Sequence, residues 1–265
     1  MDEQETLLMC QERQKTILRK VAEICEKTSI TYWLDGGTLL GAVRHNGFIP
    51  WDDDVDIAMP RKDFIEFQKI APKYLNSAYF LQSYKTDHYY GRFILKIRDN
   101  KSTFVEVFEK GRKVPYNQGI YVDVFPVDLV KKTRIGFVKS YLRIAGRILT
   151  VNELSNHDSK YVIKKAFQES NVLFDVCEKG YLLLAHASSK TQSNYFLPYA
   201  HFYGMKDQRL LDYSDIYPLK KLGFCGENYN VPADYDKYLR AQYGDYWRLP
   251  KMEDRKSHHV SISFD

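Results

Sequence analysis

The chain has 265 residues, 44% of them apolar and 15% aromatic, which is enough to bury a sizeable core in one or two domains and excludes a disordered or low-complexity protein. Its 39 basic and 34 acidic residues leave a net charge of +5, which permits an anionic partner without requiring one, and no RNA- or DNA-binding motif is present, so nucleic acid is not an expected partner. The scattered Cys10, Cys25, Cys177 and Cys225 form no C-x-x-C pair, no apolar run approaches the ~20 residues of a membrane span, and Met1–Glu5 lacks the basic and apolar parts of a signal peptide; reduced thiols and a cytoplasmic location are expected.

Residues 5–28 have helical spacing, with Leu7, Cys10, Ile17, Val21 and Ile24 on one face, and are expected only to pack. A strand over Ile30–Leu34 runs into the turn Asp35-Gly36-Gly37-Thr38, and Thr38–Val43 reads as the start of a helix. Strand, glycine turn and helix start leave backbone N–H groups free to hold a phosphate. The turn is neither the dinucleotide fingerprint nor a P-loop, since no Gly-Lys-Ser/Thr follows. Arg44 precedes an Asn46-Gly47 turn; its planar guanidinium suits a bound phosphate, and a plain surface arginine fits as well. Trp51 either stacks on a ligand or caps the core beside Phe48.

Next comes the acidic run Asp52, Asp53, Asp54, Val55, Asp56, Ile57. In a strand, Asp52, Asp54 and Asp56 would share one face and Val55 and Ile57 the other. Crowded carboxylates repel unless cations neutralise them, and hard oxygen ligands suit Mg2+ or Mn2+. A solvated acidic turn before the next helix is the other reading. The spacing does not match a calcium loop.

A helix over Pro60–Tyr74 and a strand over Tyr79–Ser83 follow. Phe93–Arg98 alternates, with Phe93, Leu95 and Ile97 facing the core and Lys96 and Arg98 facing either solvent or an anionic ligand. Thr103–Phe108 is a further strand. Gly119–Asp128 is a strand carrying one acid, Asp123, among apolar neighbours, which is costly unless paired or metal-bound; Asp128 reads as a turn or cap residue. Lys131–Leu149 and Tyr161–His186 read as helices. The first is basic and apolar, fit for packing or for an anionic membrane surface. Residues 188–193 resemble a linker. Pro232-Ala233-Asp234 opens a helix through Tyr243 with Gly244 at its end, and Arg255, His258 and His259 lie near the C-terminus.

The strings LDGGTLLGAVRH and GFIPWDDDVDI resemble the LicD family, whose relatives include the fukutin-related enzymes. The resemblance is clear over residues 30–128, weaker over 224–259 and weakest in the helical middle. It implies an α+β fold: a nucleotidyltransferase-like mixed β-sheet flanked by helices, with a catalytic core over 1–130, a helical section over 131–190 and a segment over 191–265 completing the site. It further implies that Asp54, Asp56 and Asp123 hold metal, two Mg2+ or Mn2+ ions. Gly36, Gly37 and Thr38 would lie against donor phosphates, and Lys96, Arg98, Arg44, Arg255 and His258 would contact the donor or acceptor. The implied reaction moves a phosphorylated alcohol from a CDP-activated donor, CDP-choline first, to a hydroxyl of a glycan or lipid-linked oligosaccharide acceptor such as a teichoic-acid precursor. It would take place in the cytoplasm, at or near the inner membrane face. Nucleotide transfer to an acceptor and a non-catalytic glycan-binding role are the alternatives.

Overall fold

The computed structural model describes residues 2–265 apart from 88, 91, 112, 139, 142–143, 145–170, 186–193, 199–210 and 256. The first helix, α1 (Glu3–Thr28), starts on a capping box between Asp2 and Glu5 and ends where Ser29 turns left-handed at φ 56°. It buries Cys10, Ile17, Val21 and Ile24 of the expected stripe together with Leu18 and Cys25, leaves Leu7 half-buried, and buries two polar residues, Gln11 and Gln14.

The core is a mixed sheet. Strands β1 (Trp33–Leu34), β2 (Asp56–Pro60), β3 (Tyr79–Gln82), β4 (Leu95–Asp99) and β6 (Tyr121–Lys131) run in the order β1-β2-β6-β4-β3. β2 and β6 are parallel, and the other neighbours in this order are antiparallel. Helices α2 (Gly36–His45) and α3 (Arg61–Ile70) flank it. The second half of β6 pairs with β7 (Asn194–Pro198), which pairs in turn with β8 (Leu211–Asp212). Strand β5 (Ser102–Glu106) pairs instead with β11 (His259–Phe264), the last strand of the chain. Elements from the C-terminal segment are thus built into the N-terminal framework.

β9 (Lys220–Phe224) and β10 (Glu227–Val231) form a hairpin whose two turn residues, Cys225 and Gly226, both have positive φ, as a tight two-residue turn requires. Helices α4 (Asn171–Ala185), α5 (Tyr213–Ile216) and α6 (Tyr235–Tyr243) complete the described elements. α6 starts on Asp234 and stops at Gly244, as the sequence indicates. Of the helix expected over 131–149, residue 131 ends β6, 132–134 form a 3-10 turn and 135–138 are helical, while 139, 142–143 and 145–149 lie outside the described residues, as does the linker at 188–193. No helix among the described residues is long and apolar enough to cross a membrane.

Two sequence expectations are corrected by burial. β4 is covered on both faces, so Lys96 and Arg98 do not form an open basic surface: they are 0% and 1% exposed. A central strand packed on both sides loses the alternation that a half-buried strand displays. Asp128 is not a turn residue either. It lies within β6 and takes a two-pronged bond from Arg61, at 3.0 and 2.7 Å, plus a bond from the Tyr181 hydroxyl at 2.6 Å. This buried pair ties α3, β6 and α4 together. Asp128→Ala would remove the two-pronged partner of a buried arginine and leave it Glu178 at 3.6 Å, so it should lower stability by about 3 kcal/mol. Tyr181→Phe should cost about 1 kcal/mol. Urea unfolding monitored by circular dichroism measures both.

Candidate functional site

The site begins at the glycine turn. Asp35 caps α2, its Oδ1 accepting from the Gly36 N–H at 2.8 Å and from the Tyr238 hydroxyl on α6 at 2.5 Å. Gly36 has φ +53°, a conformation glycine adopts at little cost. Both glycines also answer to close approach. A Cβ on Gly36 would sit 2.6 Å from Asp56 Oδ2, and one on Gly37 would sit 2.6 Å from Asp52 Oδ2. The missing side chains let two carboxylates lie against the start of the helix. Thr38 is buried, and its hydroxyl accepts from the Asp56 N–H at 2.8 Å, while the Asp35 N–H donates to the Asp56 carbonyl at 3.0 Å. In this structure the turn and the acidic strand are therefore fastened directly to each other.

Strand register brings the acids together. Asp56 on β2 stands opposite Asp123 on the parallel strand β6, and Asp123 stands opposite Lys96 on β4. Residues aligned across neighbouring strands share a face, so Asp56, Asp123 and Lys96 form one row. Asp54 reaches the same row from the preceding loop. The acidic run is not one strand face, as its alternation indicated, because β2 starts only at Asp56 and residues 52–55 have no regular structure. Burial is the first cause raising the Asp56 carboxyl well above the usual carboxylate range, followed by the charges of Asp54 and Asp123. Burial likewise raises Asp54 and Asp123, and burial together with Asp54 pushes Asp52 up to about 8. Acids held this close while partly desolvated are a donor set for a divalent cation. Asp123 Oδ1 is buried and takes no hydrogen bond, and with the Lys96 ammonium 3.0 Å away a divalent ion would share that oxygen with the lysine. The residues present therefore fit a hard metal ion.

Behind the row, the Lys96 ammonium lies 3.0 Å from Asp123 and 3.2 Å from Glu106, and 3.1 Å over the Tyr121 ring centre. The Tyr121 hydroxyl donates to Glu106 at 2.7 Å. Burial would raise Glu106, but Lys96, Arg92 and Arg98 hold it down at about 2. Arg98 gives its hydrogen bonds to groups other than the acids: it donates to the Gln82 side chain and to the Gly119 carbonyl, both at 2.7 Å.

Asp53 points the other way from its neighbours. It is 0% exposed and meets the C-terminal segment. The His258 N–H donates to its oxygens at 2.9 and 2.8 Å, the His259 N–H donates at 3.0 Å, and both imidazoles turn Nδ1 toward it. Burial would raise its pKa, yet the histidine bonds hold Asp53 well below the usual carboxylate range. In return, Asp53 raises His258 to about 9 despite burial. Gln14 and Gln11 of α1 donate to the Asp53 and Asp52 carbonyls at 2.6 and 2.8 Å. The helix expected only to pack thus holds the acidic loop in place. Two glutamines on its apolar face were the available sequence signal. Asp52, Asp53 and His258 each place a ligand atom within 4.8 Å of the others, so a cation site there is geometrically possible. A metal-bound imidazole must be neutral, so an ion there would have to displace the proton that Asp53 and Asp54 favour on His258.

Arg44 and Arg255 stand beside the acids without joining them. Arg44 donates to the Tyr246 carbonyl at 2.9 Å. Arg255 donates to the Pro250 carbonyl at 3.2 Å and lies 4.3 Å over the Trp51 ring. His258 is also 3.3 Å from Asp54, so it touches the acid loop itself.

Acids aligned across a mixed sheet, behind a helix that starts on glycine, form a framework for group transfer. The model of the LicD/FKTN/FKRP nucleotidyltransferase domain matches residues 29–144. Over 250 residues, 91% of each chain, the protein is 30% identical to the lipopolysaccharide cholinephosphotransferase LicD of Haemophilus influenzae. It is 49% identical over 45 residues to the ribitol 5-phosphate transferase FKRP of Homo sapiens, of which it spans 9%. It is 31% identical over 133 residues to the uncharacterised protein RP689 of Rickettsia prowazekii, covering 47% of each chain. The chain belongs to the LicD family, and it is a transferase.

Gly37→Ala should push Asp52 aside, and so reduce turnover with little change in melting temperature. Gly36→Ala should also lose about 1–2 kcal/mol, because its φ is left-handed. Steady-state rates and thermal melts separate the two effects. The Asp53–His258 contact has its own pH window. The folded pKa of His258 is raised from 6.5 to about 9, so its contribution is complete below 6.5 and disappears as pH rises through about 9. Asp53 is depressed below 3.8, so its contribution disappears only in strong acid. The melting-temperature gap between the wild type and Asp53→Asn should therefore be widest near pH 6 and shrink, without closing, by pH 10, where Asp53 still accepts the His258 and His259 N–H groups.

Proposed function

We propose that this transferase moves a phosphorylated alcohol from a CDP-activated donor to a glycan hydroxyl, with phosphocholine from CDP-choline the leading case. The acceptor is a cell-surface glycan, a lipopolysaccharide-type oligosaccharide or a lipid-linked teichoic-acid precursor. The observation that carries this reading is the Asp56–Asp123 register on adjacent parallel strands, with Asp54 beside it and Gly36-Gly37 in front. It stands in a chain similar over 91% of its length to a cholinephosphotransferase.

The acceptor oxygen would attack the phosphorus that carries the alcohol. The bond from that phosphorus to the bridging oxygen breaks, CMP leaves, and the hydroxyl proton passes to a carboxylate of the row. Asp54, Asp56 and Asp123 would hold Mg2+ or Mn2+. When bound, such an ion neutralises the diphosphate and the charge developing on the CMP leaving group. The chain's own part is positioning. The turn at Gly36-Gly37 keeps bulk away from the acids. Arg44 and Arg255, fixed by main-chain carbonyls beside Asp52, supply positive charge for the donor phosphates. Trp51 offers a flat face under Arg255. His258 orders the loop that carries Asp54. The CDP donor favours the cytoplasmic face of the membrane as the place of action.

Incubation with CDP-choline, CDP-ribitol and CDP-glycerol, a glycan acceptor and Mg2+, followed by mass spectrometry, tests the reading. A phosphocholine adduct with equimolar CMP is the expected product. EDTA, or Asn at position 54, 56 or 123, should cut the rate by about 10²-fold or more. A nucleotide adduct on the acceptor would instead establish the nucleotidyl-transfer alternative. Turnover that survives EDTA and Asp56→Asn would refute the metal-dependent mechanism.

A further inference from the structure

The acidic row contains a cation of its own. Lys96 is completely buried, lies in register with Asp123, and bridges Asp123 and Glu106 at 3.0 and 3.2 Å. Its ammonium is within 3.0 Å of Asp123 Oδ1 as well, yet it hydrogen-bonds only to Oδ2, and Oδ1 takes no hydrogen bond. Glu106 is anchored on its far side by the Tyr121 hydroxyl and by Arg92, whose Nη2 lies 3.7 Å away. A lysine enclosed in this way has no room for a donor phosphate.

We propose that Lys96 is a resident counter-ion of the metal site. It neutralises part of the row so that Asp56 and Asp123 can fold side by side, it holds the Asp123 carboxylate in place by both oxygens, and it competes with the divalent ion for Asp123. Glu106 sets the strength of that competition by holding the ammonium back. This role for Lys96 is a positioning one, and it rests on the assignment of Asp54, Asp56 and Asp123 as metal ligands.

Three effects decide the sign of the outcome. Removing the lysine charge makes the row more negative, which strengthens attraction for a divalent ion. Removing the Glu106 charge frees the ammonium to pair with Asp123 alone and also subtracts a nearby negative charge. Both consequences weaken metal binding. A residue that only fills space would not give opposite signs in the two variants.

Mn2+ binding to the full-length protein, read from the loss of the free-ion signal in electron paramagnetic resonance, measures this without turnover. Lys96→Met should bind Mn2+ at least about tenfold more tightly, and Glu106→Gln about tenfold more weakly, since unit charges at these separations interact by more than one tenfold step. In the donor assay Lys96→Met should lower kcat and leave the KM for CDP-choline within about twofold, because Asp123 loses its orientation while donor contacts stay. Glu106→Gln preserves shape and serves if Lys96→Met fails to fold, which a thermal melt reports. Weakened Mn2+ binding in Lys96→Met, unchanged binding in either variant, or a KM rise without a kcat loss would overturn the proposal. Absence of Mn2+ binding by the wild type would refute the metal assignment itself, a separate result.

Discussion

A single buried charge organises the approach to this site. Asp53 is sealed from solvent, and a sealed carboxylate is costly unless its lone pairs are filled. They are filled from the far end of the chain: two backbone N–H groups and two imidazoles, from residues 205 and 206 positions away. The contact brings β11 onto β5 and fixes the loop from both sides, since Gln11 and Gln14 hold the loop's carbonyls from α1. With Asp53 facing the tail, Asp52 and Asp54 face the glycine turn and the acidic row. On the proposed reading, one acid of the run is structural and its neighbours serve the chemistry.

The same logic runs through the sheet. Placing Asp56 beside Asp123 on parallel strands costs free energy, and the fold offsets it locally. Lys96 sits one strand further along, Glu106 and Tyr121 hold Lys96, and the acids themselves resist ionising together. The glycines serve this crowding more directly than they serve a phosphate, because Asp52 and Asp56 occupy the space where their Cβ atoms would be. A site that repels itself in this way is prepared for a divalent cation.

Much of this was legible in the sequence. The helical stripe of α1, the glycine turn, the end of α6 and the pairing of an early acidic strand with a later lone acid each left a local signal, and a short string carried the family. What the sequence hid was long-range. Asp53 looked like one more member of a ligand run because its partners lie at the other end of the chain. Lys96 and Arg98 looked like an exposed basic face because alternation cannot distinguish a solvated face from a second buried one. Asp128 looked like a turn residue until Arg61 and Tyr181 were seen around it. Buried charges are recognised by their partners, and partners are set by tertiary contact.

On the proposed reading labour is divided: Asp53 and His258 close the structure, while Asp54, Asp56 and Asp123 would hold the cation. Anomalous diffraction from crystals soaked in Mn2+ tests it most directly. Manganese peaks are expected within bonding distance of Asp56 and Asp123, with Asp53 still bound to the two histidines. A peak between Asp52, Asp53 and His258, with none at Asp123, would contradict it.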